Sequence, residues 1–92
     1  MLNKTFFKPT DKTTWKKLND KVIIVDVESG HYYSLNDTAS NIWMGLMENK
    51  STTDVFNEMS KAYNISEETL ETDIKESVSN WEKYELITEN TN

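Results

Sequence analysis

Between residues 15 and 35 the apolar residues of this chain fall in short runs rich in β-branched and aromatic side chains, whereas from residue 37 onward they recur every three or four positions. The first pattern belongs to strands and the second to helices with one buried face. The clearest strand is predicted over residues 22–27. There Ile23, Val25 and Val27 point to one face, and Val22, Ile24 and Asp26 to the other. Apolar residues on both faces imply a central strand, covered on one side and in part on the second. Glu28-Ser29-Gly30 supplies a turn, with Gly30 free to take φ > 0. Residues 31–35 return as the hairpin partner, with Tyr33 and Leu35 on one face and Tyr32 and Ser34 on the other. Residues 15–19 read as a shorter first strand, flanked by lysines as edge strands often are, and Asn19-Asp20 turns it.

A first helix is expected from an N-cap at Asn36 or Asp37 to about Glu48, its stripe formed by Ala39, Ile42, Trp43, Leu46 and Met47. Ser51-Thr52-Thr53-Asp54 has the capping-box pattern and opens a second helix, with Val55, Met59, Ala62 and Tyr63 as its stripe. Ser66 caps a third, where Glu67 and Glu68 complement the helix dipole; Leu70, Ile74, Ser77, Val78 and Trp81 give its buried face. Residues 84–88 leave as a short hydrophobic tail or strand, and residues 89–92 are expected to be disordered. At the other end, residues 1–13 read as an N-terminal arm whose Phe6 and Phe7 dock on a folded unit spanning 14–88. Three strands followed by three helices make an α+β domain, because a three-stranded antiparallel sheet needs one face covered.

Composition narrows what such a domain can do. A chain of 92 residues forms one domain that buries roughly 60–65% of its unfolded surface, enough for a core and a shallow groove. With no Cys there is no disulfide, thiolate nucleophile or Cys-based metal site, and the absence fits a reducing cytoplasm. The longest apolar run, Val22-Ile23-Ile24-Val25, is far short of a membrane span, and no secretory segment is recognisable. A cytoplasmic protein is expected. The net charge is −6 and every basic residue is Lys. Lysines 4, 8, 12, 16, 17 and 21 make the N-terminal quarter basic, and the helical half is acidic.

The residues Val22-Ile23-Ile24-Val25-Asp26, Glu28-Ser29-Gly30, Tyr32-Tyr33-Ser34-Leu35-Asn36, Thr38-Ala39 and Ile42-Trp43 carry a resemblance to a known family. So, more loosely, do Thr52-Thr53, Val55, Tyr63, Asp73, Val78, Trp81 and Leu86-Ile87. The chain resembles the PqqD-like family, the recognition elements of ribosomal-peptide (RiPP) biosynthesis. The likeness covers roughly residues 14–88. It implies a winged helix-turn-helix-like fold that binds no DNA. Members take the leader segment of a precursor peptide as an added β-strand between the third strand and the third helix, and a partner enzyme acts on the rest. On this chain the implied peptide-binding residues are His31, Tyr32, Tyr33, Ser34 and Leu35 on the strand, and Asp73, Ile74, Ser77 and Trp81 on the helix. Asp73, Glu76 and Asn80 would flank the cleft; the spacing leaves open which face of the helix lines it. Within the family, a compact standalone member with this much acidic surface resembles those of lasso-peptide clusters, whose partner is a transglutaminase-like leader peptidase; a radical SAM enzyme is the next partner.

The residues also argue against other functions. Trp43 lies in an aliphatic stripe and reads as core, while Trp81 stands between core and groove. His31 is the one histidine, without partners at metal-ligand spacing, so no metal site is expected. Glu67-Glu68, and Glu71 with Glu76, read as solvated helix faces, Ser66 as a cap, and two glycines build no phosphate loop. No catalytic residue and no cofactor are expected. The alternatives are a winged-helix DNA-binding regulator and a generic protein-interaction adaptor. The first is opposed by the missing Arg and by a third helix rich in Glu and Asp, which phosphate would repel.

Overall fold

A computed structural model describes residues 2–90. The strands are β1 (Phe7–Pro9), β2 (Thr13–Leu18), β3 (Lys21–Asp26), β4 (Tyr32–Ser34) and β5 (Ile87–Glu89); the helices are α1 (Asp37–Met47), α2 (Thr52–Ala62) and α3 (Glu67–Lys83). Strands β2, β3 and β4 form one antiparallel sheet in that order, and β1 pairs with β5 in a second. The domain is α+β and winged-helix-like, as the element pattern implies.

Register explains the sheet's two faces. Trp15 on β2 and Tyr33 on β4 both stand opposite Ile24, so all three share a face. That face is the core side, where Val22, Ile24 and Asp26 are buried; Ile23 and Val25 on the other side are half-buried. Strand β3 is thus central and covered on one side, in part on the other. Ser40 fastens α1 beneath it. Its Oγ accepts from Val22 N–H at 2.9 Å and donates to Leu35 C=O at 3.3 Å, replacing one rung of the β3–β4 ladder.

The caps are where the sequence puts them. Asn36, Ser51 and Ser66 accept from Ala39, Asp54 and Thr69 N–H, and the capping box at Ser51 is complete. Helices α1 and α3 close in the same way at their C-termini. Lys50 N–H reaches Gly45 C=O and Asn49 N–H reaches Leu46; Leu86 N–H reaches Trp81 and Glu85 N–H reaches Glu82. Such an end needs a left-handed residue, and Asn49 (φ 66°) and Glu85 (φ 60°) supply it.

The termini differ from expectation. Residues 7–9 of the arm form β1, antiparallel to β5, with Phe7 opposite Glu89 and Pro9 opposite Ile87. Phe7 is buried as expected, and Phe6 is half-buried. Glu89, expected to be disordered, is therefore strand, and Asn90 N–H donates to Phe6 C=O. The remaining tail residues Thr91 and Asn92 lie outside the described residues, as does Met1. The arm is also tied to α2, where Thr52 N–H donates to Thr5 C=O and Thr52 Oγ1 donates to Asn3 C=O.

Two substitutions test this backbone in opposite directions. Glu85→Gly removes the left-handed penalty of about 1–2 kcal/mol for a residue with a Cβ. It should raise Tm by about 4–8 °C per kcal/mol recovered. At Gly45 a Cβ would lie 2.7 Å from Val55 Cγ2, on a short, stiff, buried side chain. Gly45→Ala should lower Tm, since overpacking of about 1–3 kcal/mol exceeds the helix-propensity gain of about 1. Thermal melts decide both, and a Gly45→Ala protein as stable as the parent would show that α1 and α2 are free to move apart.

Candidate functional site

Strand β4 is an edge strand, and its hydrogen-bond alternation fixes what it offers. Leu35 N–H donates to Val22 C=O, and Asp26 N–H donates to His31 C=O. Those rungs put Tyr33 in the intervening hydrogen-bonded pair with Ile24, so its backbone faces β3. The N–H and C=O of Tyr32 and Ser34 then face away from the sheet. Neither Pro nor Lys guards this edge.

The hairpin turn holds β4 in this register. The Asp26 carboxylate accepts from Glu28 N–H (3.0 Å) and Ser29 N–H (3.2 Å) and pairs with Lys12 Nζ at 3.2 Å. Gly30 (φ 80°) donates to Asp26 C=O. The Ser29 hydrogen bond, opposed by partial desolvation, holds the Asp26 carboxyl below its usual range; Lys12 is held above its own, chiefly by its bond to Asp26.

Tyr33 brings the end of α3 to this strand. Its ring stacks on Tyr84, the C-cap of α3, with centroids 5.6 Å apart and planes at 23°. Asp73, Ser77 and Asn80 precede Tyr84 at helical spacing on the same face of α3. On this face Asp73 and Ser77 are half-buried and Asn80 is exposed, and the face ends at the Tyr84 that meets β4.

The sequence-predicted residues divide accordingly. Tyr32 is 71% exposed on the outer face of the sheet, and Tyr33 is half-buried on the core face. His31 and Ser34 are exposed. Leu35 and Trp81 are buried, and Trp81 packs edge-on against Trp43 with centroids 5.1 Å apart. Ile74 is buried in the core and lines a hollow with Leu2, Thr5 and Phe7. Tyr84, 46% exposed, was not foreseen. Among the described residues no group of three or more His, Cys, Asp or Glu is placed to hold a metal ion. Nor is any helix among them long and apolar enough to cross a membrane.

Residues 21–87 match the family described as Coenzyme PQQ synthesis protein D (PqqD). The chain belongs to the PqqD family. No curated protein matches it significantly in sequence. Two solved structures are similar. One, described as TbiB1 in complex with the TbiA(beta) leader peptide, has a TM-score of 0.83 and 22% identity, over 92% of this chain and 99% of that one. The other, lasso peptide synthetase B1 complexed with the leader peptide, has a TM-score of 0.81 and 24% identity, over 89% and 96%. At these identities the likeness is one of fold. The matched segment of this PqqD-family chain runs from the start of β3 to the start of β5 and so contains β4 and all of α3.

The turn makes the site sensitive to acid. The Asp26 pKa is depressed below its ordinary 3.8, so its contribution is complete above that value and lost as pH falls through the lower folded value. Lys12, raised above 10.5, contributes fully below that value and loses its part only as pH rises through the higher folded value. In an NMR pH titration the Glu28 and Ser29 amides should move with a midpoint below 3.8, and Asp26→Asn should abolish the movement and lower Tm at neutral pH. A midpoint at the ordinary carboxylate value would show that the turn does not depend on Asp26.

Proposed function

We propose that this chain binds the leader segment of a ribosomally synthesised precursor peptide by β-strand addition to β4 and presents it to a modifying or leader-cleaving enzyme. The observation that carries the reading is the unguarded β4 edge, with the backbone of Tyr32 and Ser34 directed outward beside the Asp73–Ser77–Asn80 face of α3. A peptide laid along it gains ladder hydrogen bonds irrespective of sequence, and its alternate side chains meet Tyr33 and Tyr84 on one side. The description of both structural neighbours as leader-peptide complexes supports the same mode. Leu35 and Trp81 act as the buried floor under this cleft, and His31 closes its turn end.

The chain itself supplies no catalytic group, cofactor or metal in this role; the chemistry belongs to the partner, in the cytoplasm. A transglutaminase-like leader peptidase of the lasso-peptide type is the first partner, a choice supported by the description of one neighbour as lasso peptide synthetase B1. A radical SAM enzyme is the second.

The edge geometry separates proline substitutions at two adjacent positions. Ser34→Pro removes an outward N–H and places its ring on the free edge, leaving the β3–β4 rungs intact. Tyr33→Pro removes a rung to Ile24 and the stack on Tyr84. In an amide NMR titration with a synthetic leader peptide, shifts should concentrate on residues 31–35 and 73–84. Ser34→Pro should weaken binding by about tenfold or more at unchanged Tm, the equivalent of about 1.4 kcal/mol. Tyr33→Pro should lose both affinity and stability. Unaltered leader affinity in a folded Ser34→Pro protein would rule out strand addition.

A further inference from the structure

A groove of about 600 Å³ lies between α1, α2 and the β2–β3 turn, and it shares no residue with the cleft at β4 and α3. Its floor is apolar: Val55 and Met59 are buried, Met44 and Gly45 half-buried, and Ala62 stands exposed at the end of α2. Its rim is polar and uneven in charge. Asp20, Asp37, Glu48 and Glu58 face only Lys17 and Lys50, all but Lys50 exposed. Lys50 is shared by Glu48 at 3.1 Å and Glu58 at 2.9 Å, so negative charge is in surplus at that end of the rim as it is beside Asp20 and Asp37.

We propose that this groove docks a basic amphipathic helix of a partner protein. Three features select that occupant. The walls are mostly helical, and helix interiors have no backbone donors or acceptors to spare. An extended segment lying here would leave its own amides unpaired, whereas a helix satisfies them internally. The size agrees: a helix about 10 Å wide occupies roughly 420 Å³ per turn, so about three turns seated to half their depth fill the groove. The charge agrees as well, because an apolar stripe flanked by Lys or Arg would meet methionines below and carboxylates beside it.

The probe is a 14-residue Leu/Lys peptide with its leucines at helical spacing, compared with the same peptide carrying Glu for Lys. Titrated into the full-length labelled chain, the Lys peptide should shift Met44, Gly45, Met59, Ala62 and Tyr63, with affinity falling about tenfold or more as salt is raised. The Glu peptide should shift none of them. Ala62→Arg fills the groove and offsets part of its negative charge at an exposed position in the last helical turn, where a cation is tolerated. It should abolish the response to the Lys peptide while leaving leader binding at β4 as it was. No shifts with the Lys peptide, shifts confined to other surfaces, equal binding of the Glu peptide, or a response that survives Ala62→Arg would each overturn the proposal. Leader binding measured in the same samples keeps that result separate from the reading of β4.

Discussion

Three tryptophans set the distance between the sheet and the third helix. Trp43 on α1 has no exposed surface and meets Trp15 of β2 at 6.2 Å and 74°, and Trp81 of α3 at 5.1 Å and 90°. Edge-to-face packing of this kind fixes angle as well as separation. Burying the ring of Trp43 is worth about 4–6 kcal/mol at the usual coefficient for its area. Its indole N–H is buried without a hydrogen-bond partner, at a cost of about 1–3 kcal/mol, so packing outweighs the orphaned donor. Whatever lies between β4 and α3 depends on this spacer, because α1 carries Trp43 and also, through Ser40, the ends of β3 and β4.

The sheet has two edges, and the chain treats them differently. Strand β2 shows Lys16, Lys17 and Leu18 to solvent, and long cations along an edge discourage a neighbouring strand. Strand β4 has no such guard and is held to three residues by the Asp26 turn on one side and the Asn36 cap on the other. Shortness limits unspecific pairing, while the stacked Tyr33 and Tyr84 wall off one flank. The asymmetry favours a binding edge over a folding accident, since one sequence protects the first edge and leaves the second open.

What the sequence discloses follows the range of the interaction concerned. The β-branched run over residues 22–27 identifies the central strand and Asn36, Ser51 and Ser66 mark the helix starts, because those signals lie within four residues of what they organise. The β1–β5 pair is invisible to such reasoning: its strands are three residues long and stand at opposite ends of the chain. Ile74 shows the limit of a helical stripe. Its position says it is inward, and only the arm packed against α3 says that it looks toward Phe7 rather than β4. Tyr84 was missed for a related reason. Helical spacing puts it in line with Asp73, Ser77 and Asn80, and only its stacking on Tyr33 shows that this end of α3 meets β4.

Magnitudes decide where the affinity for an added strand must come from. Tyr32 and Ser34 present two N–H and two C=O groups, and each hydrogen bond is worth about 0.5–1.5 kcal/mol net of water. The ladder would therefore yield roughly 2–6 kcal/mol, and association itself costs at least about 4. Backbone pairing alone leaves at most about 2 kcal/mol, a binding weaker than millimolar. In the proposed mode the remainder would come from side chains entering against Tyr33 and Tyr84 and from polar contacts to Asp73, Ser77 and Asn80, each of which discriminates among sequences. An edge this short is thus selective by arithmetic, because it holds only those peptides whose side chains supply what the ladder lacks.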